Sequence, residues 1–397
     1  MNLPRLLFIS SESPHTRAPG AIVFRRLFRD YPPDRLLVVT NHPPPEGAER
    51  LACRYETVPL VADRLNRTRF WSWKAALRSL GGPDLIPLSH VESVLRGFRP
   101  QVVATLMQDS WYYDLAARYA RKRRLPLCLF IHDLPHGFEP VAPWLAACQE
   151  ARDRAVYRQA ALRLGISPGM AEWFKEHYAT PCDVLLPPRD DIPVQAAGPV
   201  LSLKTPGRLT LGYAGGLHYG YGEQLLALVP VLRETGSRLE YFGPAPAGNV
   251  SSLAQAADVI RFNGYAPSPA EAWRTLGERC DAIIQPYLNP PGRHELQYRT
   301  HFPSKLGDCL SLGLPLLITG PAYASGARWC ADNPGTALLL HDPQSSALKT
   351  GLVRLRDDAS LRAQLAAGAR RAADAFDANR LRHEWSARLA TISVSRE

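Results

Sequence analysis

A proline-rich stretch from Pro187 to Pro206, PPRDDIPVQAAGPVLSLKTP, divides this sequence into two halves that read alike. Before it, short apolar runs at Arg5–Ser10, Leu36–Thr40, Val102–Leu106, Leu127–Ile131, Leu162–Ile166 and Asp183–Leu186 read as strands. Helical spacing appears between them, with Ile22, Val23, Leu27 and Phe28 on one face, then Tyr112–Arg123 and Gly169–Tyr178. After it the alternation restarts, with strands at Leu209–Tyr213, Leu239–Phe242, Val259–Phe262, Ala282–Gln285 and Leu314–Thr319 and a helix at Glu223–Arg233. Strands that alternate with helices pair in parallel and are covered on both faces. The expectation is an α/β chain of two Rossmann-like domains whose parallel sheets face each other across an interdomain cleft. A length of 397 residues suits two cores better than one.

Composition narrows the functional classes. No run of about 18 apolar residues is present, so no membrane-spanning helix is expected. The opening MNLPRLLFISSES reads as a strand, its apolar part too short for a signal peptide. The seven cysteines are scattered and never spaced as CxxC, which indicates neither a disulfide framework nor a zinc site and fits a reducing cytosol. The net charge of +10 is concentrated locally, since residues 50–125 hold 14 Lys and Arg against 6 Asp and Glu. Nucleic acid, anionic lipid and phosphorylated ligands all suit such a surface. No helix-turn-helix or RNA-binding signature appears, so nucleic acid is not an expected partner. Within the basic region, DRLNRTRFWSWKAALRSLGG (Asp63 to Gly82) interleaves Arg64, Arg67, Arg69, Lys74 and Arg78 with Phe70, Trp71 and Trp73. Tryptophan beside cations suits the headgroup layer of an anionic membrane. Tryptophans packed in the core, with solvated arginines around them, are the other reading.

In an open parallel sheet, ligands bind beyond the carboxyl ends of the strands. In the first half, the loop after the first strand holds Pro19-Gly20, with Arg25 and Arg26 one turn into the following helix. A helix start beside a glycine favours an anion, but the spacing is not GxGxxG, so dinucleotide binding is not indicated. The strand LCLFI ends in His132-Asp133, where a histidine can hydrogen-bond a sugar hydroxyl or act as a base. In the second half, LTLGYAGGLHYGYGE places Gly215-Gly216 after a strand, allowing close backbone approach to a diphosphate. No Ser/Thr and Lys follow at P-loop spacing, which argues against an NTPase. In HFPSKLGDCLSLGLPLLITG, Ser304 is expected to N-cap a helix beginning at Lys305. Lys305 brings a positive charge to its first turn, and Asp308 lies three residues on, on the same face.

The block PSKLGDCLSLGLPLLIT resembles the donor motif of GT-B glycosyltransferases related to retaining glycosyltransferase family four, the group 1 glycosyltransferases. That motif reads Pro-Ser-Lys-Leu, an aromatic, Glu, apolar residues, Gly-x-Pro and a hydrophobic strand. The His132-Asp133 pair, the LGISPGMAEWF segment, the GYAGGL stretch and the FNGY turn with Gly264 and Tyr265 follow in the family's order. The resemblance implies an N-terminal acceptor-binding domain over residues 1–190, a linker over 191–208 and a nucleotide-sugar domain over 209–375. Residues 376–397 would form a helix packing back on the first domain. It implies Asp308 on the ribose and Ser304, Lys305 and the Gly215-Gly216 backbone at the diphosphate. Gly264 and Tyr265 would lie by the base, and His132 near the transferred sugar as a catalytic group beside Lys305. Gly20, Arg25 and Asp133 would lie on the acceptor or phosphate side.

The sequence departs from the family pattern in three places. Asp308 stands where Glu is usual, Thr300 stands at the companion acid, and HYGYGE replaces the Arg and Lys after the glycine loop. Arg293, His294, Glu295 and Arg299 are the candidates to supply the missing charges. The expected activity is transfer of a hexose-like sugar from a nucleotide-sugar to a glycan or lipid-linked acceptor, with retention, in polysaccharide or glycoconjugate synthesis. The nucleotide-sugar is a co-substrate; no cofactor and no metal are expected. The expected location is cytoplasmic, peripheral on an anionic inner membrane face. Alternatives are a nucleotide-sugar epimerase of the same architecture and a non-catalytic glycan-binding scaffold.

Overall fold

A computed structural model describes residues 3–16, 18–59, 87–108, 111–134, 143–190, 202–218, 220–287, 295–341 and 345–394. The expected membrane-docking stretch 63–82 therefore lies outside the described residues, as do Arg293 and His294. The chain divides into two compact units, Met1–Leu186 with Asn379–Glu397, and Pro187–Ala378. The first crossing thus falls four residues before the boundary expected at 190.

In unit 1 the strands are β1 (Leu6–Ile9), β2 (Leu36–Thr40), β3 (Arg54–Thr57), β4 (Val102–Leu106), β5 (Leu127–Ile131), β6 (Leu162–Gly165) and β7 (Asp183–Val184). They form one parallel sheet in the order β3-β2-β1-β4-β5-β6-β7. Helices α1 (Pro19–Phe28), α2 (Leu88–Leu95), α3 (Trp111–Arg123), α4 (Pro143–Gln159) and α5 (Pro168–Tyr178) connect them. The start of α5 is set by Ser167, whose hydroxyl accepts from the Met170 amide at 2.9 Å, with Pro168 pre-shaped for the first turn. Strand β3 was not foreseen, because RYET is a polar edge strand without an apolar run.

Unit 2 holds β8 (Thr210–Ala214), β9 (Arg238–Phe242), β10 (Ile260–Phe262), β11 (Ala282–Pro286), β12 (Leu316–Thr319) and β13 (Ala337–Leu340), parallel in the order β10-β9-β8-β11-β12-β13. Its helices are α6 (Tyr221–Thr235), α7 (Pro269–Arg279), α8 (Glu295–Thr300), α9 (Leu306–Ser311), α10 (Ser325–Asp332), α11 (Ser345–Asp357) and α12 (Ala359–Ala373). The central strands β8, β11 and β12 are buried throughout, as both-face coverage requires.

The last helix, α13 (Ala378–Val394), returns to unit 1. Leu381, Trp385 and Leu389 recur every four residues and so share one face, which lies in the core with Phe8, Phe28 and Phe130. Trp385 meets Phe28 at 5.0 Å between ring centres, and Phe8 meets Phe24 at 4.9 Å. Burying rings of this size contributes about 1.5–3 kcal/mol each, so the C-terminal helix is a part of unit 1's core. No described helix is long and apolar enough to cross a membrane.

Candidate functional site

Strand order reverses between β8 and β11 in unit 2, so a ligand crevice is expected beyond their carboxyl ends. Gly215 and Gly216 follow β8 there. Gly215 has a positive φ of 148°, and a methyl group on it would lie 2.6 Å from Lys305 Nζ. The structure thus brings Gly215 and Lys305 together from positions ninety residues apart. Beneath the loop, the buried Tyr213 hydroxyl donates to the Gly216 carbonyl at 2.6 Å. Lys305 Nζ lies 3.9 Å from the centre of the Tyr213 ring and 5.2 Å from that of Tyr221.

These rings solvate the ammonium only in part, and no carboxylate among the described residues lies within ion-pair distance of it. Burial therefore pushes the Lys305 amine down to about 7, although the nearby Cys309 opposes the shift. A desolvated cation with room for a glycine backbone beside it is suited to an anion. The sequence reading missed Tyr213 and Tyr221. Their signal was available: Tyr213 is a polar-tipped ring in an apolar strand two residues before the glycine pair.

The neighbouring loops continue the same edge. The Gly215 amide donates to Phe242 at 2.9 Å, and the Gly243 amide donates to Gly264 at 2.9 Å, so the turns after β8, β9 and β10 are tied in series. Gly264 has a positive φ of 70° with open space around it, and Tyr265 beside it is 79% exposed. That leaves a bare aromatic face next to the glycine turns.

One expected feature is placed differently. Ser304 does not cap a helix. It sits in a turn closed by the Leu306 amide on Pro303 at 2.8 Å, the helix starts at Leu306, and Lys305 occupies the capping position with no side-chain cap bond. The turn uses the backbone acceptor that a capping serine would replace. Asp308 is buried, and its Oδ1 accepts from the Asp190 amide at 2.7 Å. Next to it, the Arg189 amide donates to Phe376 at 2.9 Å, and Gly307 lies beneath the Phe376 ring. Helix α9 therefore holds both chain crossings of unit 2 through Gly307 and Asp308.

Of the candidates for the missing charges, Glu295 and Arg299 pair with each other at 2.8 Å, one turn apart on α8. Arg299 also stacks over Tyr323 at 4.4 Å. The buried Thr300 hydroxyl donates back to Leu296 at 2.9 Å, within its own helix.

In unit 1 the strand order reverses between β1 and β4. Gly20 lies in the first turn of α1, with space for a methyl 3.7 Å from the Glu12 side chain. Burial raises the Glu12 carboxyl above its ordinary range. Glu12 was not singled out from sequence, because an isolated acid in a Ser/Pro loop carries no spacing signal. Arg25 is paired with Glu49. His132 directly follows β5 and stacks on Phe24, 4.9 Å between centres and 13° from parallel, with Asp133 next in the chain.

Residues 34–189 match the family model described as a glycosyl transferase 4-like domain. Across nearly the whole chain, the structure is similar to HepE from Anabaena in complex with UDP-glucose, with TM-score 0.66, 15% identity, and coverage of 97% of this chain and 99% of that one. The fold is GT-B. The GT-B glycosyltransferase WaaG, involved in lipopolysaccharide biosynthesis, is similar with TM-score 0.57, 16% identity and coverage of 96% and 98%. Sucrose-phosphate synthase from Thermosynechococcus elongatus, a third GT-B structure, aligns with TM-score 0.64, 13% identity and coverage of 96% and 97%. A comparison with curated proteins found no match. The resemblance to GT-B glycosyltransferases that the PSKL block suggested thus extends over both units.

Proposed function

We propose that this chain is a glycosyltransferase that moves a sugar from a nucleotide-sugar to a hydroxyl of a glycan or lipid-linked acceptor, with retention and without a metal. The observation that carries this reading is Lys305, a cation with no carboxylate partner among the described residues, held by two tyrosines against Gly215. In the transfer, the acceptor hydroxyl forms the new bond to the anomeric carbon as the bond from that carbon to the phosphate oxygen breaks. The electron pair leaves with the nucleoside diphosphate, whose oxygen takes the hydroxyl proton. Negative charge therefore grows on the diphosphate, where a preorganised ammonium stabilises it most. His132, held flat by Phe24, is the group we assign to the transferred sugar. Tyr265 and Gly264 are assigned to the base.

A thermal-shift panel of nucleotide-sugars tests donor binding, with UDP-glucose first because HepE was crystallised with it. The selected donor is then incubated with glycan and lipid-linked acceptors, and the anomeric form of the product is read by NMR. A stabilising donor that yields a glycoside of retained configuration is the expected result. Failure of every nucleotide-sugar and nucleoside diphosphate to stabilise the protein would overturn the reading.

A further inference from the structure

Unit 2 has a polar cavity toward the amino-terminal ends of its strands and so at the opposite end of the sheet from Gly215. It measures about 360 Å³ and is bounded by Arg208, Arg238, Arg261 and Arg279, with Glu240 and Asp258. The topology gathers these residues. Arg208 leads into β8, Arg238 opens β9, and Arg279 closes α7. Register pairs Arg261 of β10 with Glu240 of β9, and Arg238 shares the Glu240 face two residues earlier.

The charges here do not cancel. Asp258 is already held by Arg233, which reaches both of its oxygens at 2.7 and 2.9 Å. Glu240 stands 3.9 Å from Arg261 and 3.8 Å from Arg279, beyond hydrogen-bond reach of either, while its Oε2 accepts from Asn263 at 2.9 Å. Arg208 is fixed by its own turn, with Nη2 donating to Thr205 at 3.2 Å and a buried Nε that has no hydrogen-bond partner. The Arg238 guanidinium has no ion pair among the described residues. Four guanidiniums thus surround one carboxylate that is not otherwise neutralised.

Charged residues on an edge strand discourage edge-to-edge pairing, and that accounts for Arg261 on β10. It does not account for Arg208, Arg238 and Arg279, which come from other elements and border the same cavity. Guanidinium forks match the oxygens of phosphate in pairs, and several of them together select more than one negative charge.

We propose that this arginine pocket binds a phosphate-bearing anion, either a free polyphosphate group or the headgroup of an anionic lipid. The site is separate from the glycine loop and stands whether or not the donor reading holds. The test uses the Lys305→Met chain, in which binding at the glycine loop is weakened, with and without Arg238→Gln and Arg279→Gln, so that the arginine changes read the second site. Inorganic pyrophosphate is titrated calorimetrically at fixed ionic strength, and sedimentation is measured with phosphatidylglycerol and with phosphatidylcholine vesicles. Pyrophosphate binding that weakens at least tenfold in the arginine variant supports a free-phosphate ligand. Selective sedimentation with phosphatidylglycerol, lost in the variant, supports a lipid headgroup. Absence of both responses, or responses the variant leaves unchanged in a chain of unaltered thermal midpoint, overturns the proposal.

Discussion

The ammonium of Lys305 rests 3.9 Å from the centre of the Tyr213 ring, whose hydroxyl is spent on the Gly216 carbonyl. Ring, loop and cation are therefore one assembly, and each can be tested through the others.

Lys305→Met removes the charge and keeps most of the stem. A charge-assisted contact is worth about 1.5–3 kcal/mol, so affinity for the nucleoside diphosphate should fall roughly ten- to a hundredfold. Calorimetric titration reads this directly, and an unchanged affinity removes Lys305 from the site.

Donor affinity should depend on pH through the same group. With the amine pushed down to about 7, the charged form dominates below that pH and is lost above it. A bound diphosphate favours the ammonium, so affinity is full below pH 7 and falls as pH rises past it. The stability effect has the complementary sign. The folded chain holds this proton less tightly than the unfolded one, whose lysine titrates near 10.5. Stability from this group therefore declines as pH drops from about 10.5 to 7 and is level below. Lys305→Met should raise the thermal midpoint more at pH 7 than at pH 10, and should flatten the binding profile.

Gly215→Ala places a methyl 2.6 Å from Lys305 Nζ, on a backbone of positive φ. Donor affinity should fall about as far as in Lys305→Met. Because both changes remove the same contact, the double variant should lose little more than either single one. Additive losses in the cycle would separate the two residues.

His132→Phe keeps the flat stack on Phe24 and removes the ring nitrogens. Turnover should drop while the thermal midpoint and nucleoside diphosphate affinity stay near those of the parent. A lowered midpoint with normal specific activity would make the histidine a packing residue.

Asp308→Ala leaves the Asp190 amide without its acceptor. The expected cost is about 1–3 kcal/mol of stability, seen as a lower unfolding midpoint, with much of it restored in Asp308→Asn. A midpoint equal to the parent's in the alanine variant contradicts this.

The buried centre of each sheet was legible because continuous apolar runs have few other uses. Val102–Leu106 and Leu127–Ile131 end where the pattern put them. Of the four edge strands, β7 and β10 were expected, whereas the polar β3, which needs no apolar alternation, and the short β13 were not. The glycine pair and Lys305 were identified one by one, but their contact depends on a β8-to-α9 approach that no local spacing encodes. Ser304 was misread because a serine ahead of a helix and a serine in the preceding turn look the same in sequence. The bond from the Asp190 amide to Asp308 was not legible because it joins residues 118 apart.

The anchoring of both crossings on α9 governs how this chain could be cut and rejoined. A chimera that exchanges the donor half should splice at Leu186/Pro187 and at Ala378/Asn379. A seam placed after Asp190 would leave Arg189 and Asp190 from one parent facing Phe376 and Asp308 from the other. The graft would then inherit a mismatched joint directly behind Lys305.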